Sequence, residues 1–502
     1  MSAPRFPVDA SDETLLSHVR PPDWRNPPPR DRYHLVVVGA GTGGLVTAAI
    51  AAGLGARVAL VERHLMGGDC LNVGCVPSKA LLHSAREYSA RGREARDAGA
   101  DGAFADAMTR LRRLRARIAP VDGAPRFRDE LGVDVFLGDG RFTGPGTVAV
   151  GDAVLRFRRA VIATGARAAL PDVPGLADAA PRTNETIFDL VARPARLVVL
   201  GGGAVGCELA QAFARFGSRV TLLEQGARLL PQDDADAAAV VRGALERDGV
   251  VVHTGAAAQR VTRDGALRRV HFTAAGGDSG ELVAEGDELL VATGRAPNVE
   301  GLGLDAAGVR ATARGVETDE RLRTTSPRIY AVGDVTGRWR FTHAADAMAR
   351  LVVANALFFG RGRVSSLTVP WCTYTSPEVA QVGLTAEAAI AAGVAVDTFT
   401  VPFTHVDRAV LEGATEGFCR VLVRRGTDRL AGVTVVGPHA GEVIGEATLA
   451  LGRGLGLGAL GATIHPYPTE AEALRKAADA WRRTRLTPAA RRALGGLLRL
   501  FR

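Results

Sequence analysis

One phrase is written twice in this chain, and it constrains the fold more than any other feature. YHLVVVGAGTGGLVTAAIAAGLGARVALVER begins at Tyr33, and RLVVLGGGAVGCELAQAFARFGSRVTLLEQ begins at Arg196. Each copy reads as a buried strand, a glycine turn, an apolar helix and a second strand. In each, an acidic residue ends the second strand 23 positions after the first glycine, Gly39 to Glu62 and Gly201 to Glu224. Gly39, Gly41 and Gly44, then Gly201, Gly203 and Gly206, make two G-x-G-x-x-G turns. The first glycine turns the chain, the second lets backbone approach a pyrophosphate, and the third lets helix pack on strand. The helix N-terminus offers N–H groups to phosphate, and the acid accepts ribose hydroxyls. An isolated turn of this kind is common. Two, each between strand and helix and each with its acid, predict an α/β chain with two Rossmann-like dinucleotide-binding domains.

Later phrases echo both copies. RAVIATGARA (159–168) and LLVATGRAPN (289–298) are short apolar strands ending in Thr-Gly. These should bring backbone close to a ligand or to the neighbouring domain. RIYAVGDVTG (328–337) ends a strand in Gly-Asp, where Asp334 can reach cofactor hydroxyls or simply form a turn. From about residue 366 alternating stretches such as FCRVLVRR and LAGVTVVG suggest antiparallel strands, followed by apolar helices. This predicts a separate α+β domain. The first 30 residues, rich in proline (RPPDWRNPPPR), read as an extended or poorly ordered arm. ARRALGGLLRLFR at the end sets Leu494, Leu497, Leu498 and Phe501 at helical spacing opposite arginines. Docking on the chain's own surface or fraying is the first expectation for it, ahead of a partner or a weak peripheral membrane contact.

The remaining constraint lies in GGDCLNVGCVPSK, where Cys70 and Cys75 stand close together in a chain with five cysteines. No apolar run approaches the ~20 residues of a membrane span, and the N-terminus lacks the apolar core of a signal peptide. A cytoplasmic location is the default. Thiols there stay reduced, so a close pair points to catalysis or metal binding rather than a structural bridge. C-x4-C is not a usual zinc half-site, and no partner pair lies at zinc spacing, so no structural metal is expected. The segment after Cys75 reads as a helix, whose N-terminus favours thiolate. Cys207, Cys372 and Cys419 read as buried small hydrophobes. The formal net charge of +8 comes almost wholly from arginine, since Lys79 and Lys476 are the only lysines. That bias reflects base composition and does not argue for nucleic acid. A lysine beside the cysteine pair is accordingly notable, because a compact ammonium fits where a guanidinium does not.

This ordered series resembles the class I pyridine nucleotide-disulfide oxidoreductases from about residue 33 to 485. The phrases GGDCLNVGCVPSKAL and VPWCTYTSPEVAQVGLT are most similar to mercuric reductases and their less characterised relatives. The resemblance implies an FAD-binding domain over 31–185 and 306–366, a nicotinamide domain over 186–305 and a dimerisation domain over 367–485. The arm (1–30) and basic tail (486–502) flank them. FAD would lie at the first glycine motif, with Glu62, Gly68, Gly140, Thr164, Gly165, Asp334 and the run Phe341, Thr342, His343. The nicotinamide cofactor would lie at the second, with Glu208, Glu224 and Gly294. Cys75 would be the thiolate against the flavin and Cys70 the outer thiol. Lys79 would pair with Glu208 beside the flavin. Glu224 repels a 2′-phosphate and so favours NADH over NADPH, an effect that Arg228 could weaken. The subunits would form a homodimer in which His465, Tyr467 and Glu472 complete the partner's site.

The tail phrase IHPYPTEAEAL departs from members that act on dithiols. His465 falls on the first histidine of their motif, but Tyr467 stands where the acid–base histidine should be, with Glu472 on its orienting acid. Tyrosine titrates near ~10 and is a poor shuttle at neutrality. Tyrosine there is what mercuric reductases resemble, in which Cys70 and Cys75 would hold Hg(II). Yet no cysteine follows Cys419, so their C-terminal pair is missing, and no cysteine-bearing metal-carrier domain precedes the first motif. The expected activity is electron transfer from NADH through FAD and a Cys70–Cys75 disulfide to a small-molecule or metal-ion acceptor. Hg(II) leads, with dihydrolipoamide or another disulfide substrate next and quinones or other oxidants behind. A redox-sensing flavoprotein of little turnover is the reading outside that class.

Overall fold

The computed structural model describes residues 9–91, 93–274 and 280–501. They form two compact units: one runs to Gln225 and resumes over Gly249–Leu367, and the other comprises Gly226–Asp248 and the residues from Thr368 onward.

In the first unit, strands Asp134–Leu137, Val58–Glu62, Tyr33–Val38 and Ala153–Ile162 lie side by side in that order, all parallel. Ile329–Ala331 adds to the far side of Ala153–Ile162, also parallel. The chain thus leaves the middle of the sheet in one direction and returns on the other side. Reversal of this kind opens a crevice at the strands' carboxyl ends. Here those ends are Val38 and Ile162, paired in register, just before Gly39 and Ala163. The second sheet repeats the plan with Val251–Thr254, Arg219–Glu224, Arg196–Leu200 and Glu288–Val291. Its reversal lies at Leu200 and Val291, ahead of Gly201 and Ala292. Leu35, Val36 and Val37, like Leu197, Val198 and Val199, are wholly buried. Continuous apolar runs are what strands covered on both faces require.

The N-terminal segment is not the extended arm expected from its prolines. After residues 1–8, which lie outside the described part, Ala10–Val19 is an α-helix whose first turn is capped by the Asp9 carboxylate. Leu15 and Val19 are buried in the core beneath the first sheet. The prolines follow the helix as a strap over the edge strand Asp134–Leu137. Trp24 Nε1 donates to Val135 O, Asn26 exchanges two hydrogen bonds with Leu137, and Arg30 pairs with Asp134. The strap covers an edge that would otherwise offer unpaired backbone.

The second unit is a five-stranded antiparallel sheet in the order Trp371–Thr373, Glu378–Gly383, Leu430–Gly437, Phe418–Arg424, Val396–Pro402. Helices Ala440–Gly452 and Glu472–Thr484 supply Ala447 and Leu474 to its core. Residues 226–248, expected with the nicotinamide domain, cluster here. Asp234 explains part of this: it caps helix Ala235–Arg247 and receives Arg420 at 2.7 Å. The basic tail forms helix Pro488–Arg499 with no buried residue, so the expected self-docking is not observed. No helix among the described residues is long and apolar enough to cross a membrane.

Candidate functional site

The two glycine turns are sterically obligatory. A Cβ on Gly44 would lie 1.8 Å from Gly39 O, and one on Gly206 would lie 1.9 Å from Gly201 O. Gly203, in contrast, faces open space, and Gly41 meets only the Cα of Gly68. Room where the second glycine stands and contact where the third stands is the arrangement that admits a pyrophosphate. Helices Thr42–Gly53 and Ala204–Arg215 start at Gly41 and Gly203, which provide no side-chain cap. Their leading N–H groups therefore remain available to an anion. These residues fit a dinucleotide at each turn. Glu62 accepts from the N–H groups of Ala40 and His64, both at 2.7 Å, and burial raises its pKa. Glu224 accepts from Gly202 N at 2.5 Å. Arg228 is held by Glu387 in a two-pronged pair at 2.6 and 2.7 Å.

Gly68 brings the cysteine segment to the first turn. A Cβ there would stand 2.6 Å from the Cα of Gly41. Cys70 lies in the short helix Gly68–Asn72, and Cys75 opens the helix Cys75–Ser89. Gly74 between them allows the approach, since a Cβ on it would meet Asp69 O at 2.8 Å. No disulfide joins the two cysteines in this structure. The Cys70 thiol interacts with the Cys75 sulfur, which lowers the Cys75 pKa and raises that of Cys70. Thr342 Oγ1, at 3.4 Å, and the Lys79 ammonium lower Cys75 further. Thr342 is itself the first residue of helix Thr342–Leu357, which again has no side-chain cap. Two helix N-termini thus converge on the Cys75 sulfur, and both dipoles favour its thiolate. Phe341 and His343 stack beside Thr342, with ring centroids 5.5 Å apart.

Lys79 Nζ reaches Glu208 Oε2 at 2.8 Å, joining the cysteine helix to the helix behind the second glycine turn. The two Thr-Gly echoes meet as well. Arg295–Pro297 pairs antiparallel with Ala166–Ala168, and Thr164 Oγ1 donates to Asn298 O at 2.7 Å. Gly165 O accepts from Asn298 N, and Gly294 O from Ala169 N, both at 3.0 Å. Gly140 packs over Val61 and Val38 at the strand ends. Asp334 lies 3.3 Å from Arg295 Nε, and burial raises its pKa.

Several residues in this cluster were not singled out from sequence. Arg295 bridges Asp69, next to Cys70, and Asp334. Asn72 Nδ2 donates to Met66 O and Gly68 O and holds the short helix. Arg115, wholly buried, donates to Asn72 O and pairs with Asp12 of the N-terminal helix, each at 2.8 Å. Arg295 stands in the quoted Thr-Gly-Arg phrase. Asp12 and Arg115 carry no such signal, because only the fold brings them together.

In the second unit, His465 Nε2 lies 3.0 Å from the Glu446 carboxylate, and its side chain is 5% exposed. Tyr467 OH donates to Asp407 at 3.0 Å, which raises the phenol's pKa. Glu472 makes no hydrogen bond to Tyr467. It pairs with Arg475 at 2.5 Å and lies 3.5 Å from Lys476.

Residues 33–349 match the family model described as pyridine nucleotide-disulphide oxidoreductase, and residues 369–478 match that family's dimerisation domain. The chain is 39% identical over 466 residues to a dihydrolipoyl dehydrogenase of Thermus scotoductus, covering 89% of this chain and 97% of that one. It is 37% identical over 467 residues to a mercuric reductase of Streptomyces lividans, covering 89% and 96%. A solved structure, the Cu(II) complex of the HOCl-induced flavoprotein disulfide reductase RclA from Escherichia coli, superposes with a TM-score of 0.79 at 28% identity, covering 88% of this chain and 98% of that one.

Proposed function

The chain belongs to the pyridine nucleotide-disulphide oxidoreductase family, an FAD- and pyridine-nucleotide-dependent class of oxidoreductase, and we propose that it reduces a thiophilic metal ion of the Hg(II) type with NADH. FAD, held at the first glycine turn, would supply two-electron chemistry linking NADH to the Cys70–Cys75 disulfide. Everything else is done by the chain. The first glycine turn would hold the FAD pyrophosphate, and the close packing of Gly68 on Gly41 brings the cysteine segment to that turn. The second turn holds nicotinamide, and Glu224, with Arg228 engaged elsewhere, favours an unphosphorylated ribose. Cys75 stays ionised between two helix N-termini. Lys79 and Glu208 fix a charge pair at the junction, and Cys70 supplies the sulfur that meets the acceptor.

The observation that favours a metal ion is the residue at 467: a tyrosine stands where dithiol-acting members carry their acid–base histidine, and its bond to Asp407 raises the phenol's pKa further from neutrality. Reducing a disulfide consumes two electrons and two protons, so it gains from a positioned acid. Reducing Hg(II) to Hg(0) consumes two electrons and no proton, so NADH + Hg(II) gives NAD+ + Hg(0) + H+. His465 lies against the Glu446 carboxylate, Tyr467 donates to Asp407, and Glu472 pairs with Arg475 and lies 3.5 Å from Lys476. A positioned acid–base group is typically worth ~10²–10⁴-fold. The family likeness spans both acceptors, with 39% identity to a dihydrolipoyl dehydrogenase and 37% to a mercuric reductase, so the choice rests on residue 467. The protein acts as a homodimer through its C-terminal domain.

An anaerobic acceptor panel tests this reading: Hg(II) with excess thiol, Cu(II), lipoamide, glutathione disulfide and a quinone, each followed by NADH oxidation. Hg(II) should turn over fastest. A lipoamide or glutathione rate above the metal rates would overturn it. Tyr467→His should then raise only the disulfide rates.

A further inference from the structure

Helix Pro488–Arg499 is capped by Thr487, yet none of its residues is buried. Leu494, Leu497 and Leu498, with Leu500 and Phe501 just beyond, are exposed, Phe501 to 81%. Spacings of three and four put Leu494, Leu497, Leu498 and Phe501 on one side of the helix. Arg492 and Arg499, seven positions apart, fall on the opposite side, and Arg491 flanks the apolar face beside Leu494 and Leu498. A half-apolar helix without core contacts gains nothing from the fold that carries it. Such a helix in water needs an occupant for its apolar face.

Charge identifies the occupant. Residues 480–502 contain seven arginines and no acidic residue. A second copy of the tail would bring like charge to like charge with nothing to neutralise it. Phosphodiester headgroups above a hydrocarbon layer match both faces: leucines and phenylalanine enter the acyl boundary while guanidinium groups stay among the phosphates. Each such arginine adds attraction near an anionic leaflet, and that attraction fades within a Debye length. We propose that residues 486–502 anchor this protein peripherally to an anionic phospholipid surface.

The test uses the full-length, FAD-loaded protein in sedimentation with vesicles of phosphatidylcholine alone or mixed with phosphatidylglycerol. The protein should pellet with the mixed vesicles, pellet weakly with the neutral ones, and release as salt is raised. Leu497→Glu with Leu498→Glu should weaken binding at least about tenfold, given what burying each leucine contributes. Arg491→Glu with Arg492→Glu should abolish the preference for phosphatidylglycerol. Both variants should keep the parent's acceptor rates, which shows that they are folded. Failure of the parent to pellet, equal binding to neutral vesicles, or unchanged binding by the leucine variant would each overturn the proposal. Tail-dependent self-association without vesicles, seen by sedimentation velocity, would overturn it in favour of a second copy.

Discussion

Substituting Asp12 by alanine probes how the N-terminal helix holds the cysteine segment. Asp12 and Arg115 are both 0% exposed and 2.8 Å apart. Burial raises the Asp12 pKa even against its cationic partner, so the carboxylate has a real desolvation penalty. Removing one member of such a pair leaves the other buried and uncompensated, at a cost of ~3–5 kcal/mol. The paired replacement Asp12→Leu with Arg115→Met removes both charges and should be near neutral by the same reasoning. That double variant still loses the 2.8 Å bond from Arg115 to Asn72 O, which braces the helix carrying Cys70. Equilibrium urea unfolding followed by circular dichroism should therefore rank parent and double variant close together, with Asp12→Ala well below. Alkylation of Cys75 by iodoacetamide should change in both variants, because the brace is gone in the double variant and its donor is disturbed in the single one. A loss below about 1 kcal/mol for Asp12→Ala, the range of an exposed pair, would refute the reasoning. So would an unaltered alkylation rate in the double variant.

The reduced protein's Cys75 should alkylate with a midpoint below that of an ordinary thiol, near ~8.5. Cys70→Ala should raise that midpoint more than Lys79→Met, because the Cys70 thiol is the largest cause of the depression. The sign is fixed: each group stabilises the thiolate, so removing either moves the midpoint up. Gly206→Ala should keep the yellow flavin but lose reduction by NADH, whereas Gly44→Ala should purify without flavin, since each Cβ would stand within 2 Å of a carbonyl oxygen. Glu224→Ala should lower the NADH over NADPH preference by about ten- to a hundredfold, the value of a charge-assisted hydrogen bond. An unchanged ratio of kcat/KM values would remove Glu224 from cofactor choice.

The parallel sheets, their glycine turns and the C-terminal antiparallel sheet were legible because each is written locally, in an apolar period or a fixed spacing. The convergence of Cys70 and Cys75 was legible for the same reason, with Gly74 in the intervening loop. What escaped depends on long-range contact. Proline in RPPDWRNPPPR signals extension, but the eleven residues before it carry a capping aspartate and an apolar face that finds a core. The Asp12–Arg115 pair spans 103 positions, and no local pattern announces it. Arg228 is engaged by Glu387, 159 positions away, a contact that no spacing near the second glycine turn announces. The tail was readable as amphipathic, but amphipathicity alone does not say that nothing in the chain covers it.

Anaerobic titration of the FAD-loaded protein with NADH tests most directly whether electrons pass beyond the flavin to the sulfur pair. The first equivalent should leave most of the yellow absorbance in place while a broad long-wavelength band grows from the Cys75 thiolate against oxidised flavin, and Cys75→Ser should lack it. Bleaching of the flavin by that first equivalent, with no new band, would contradict the account.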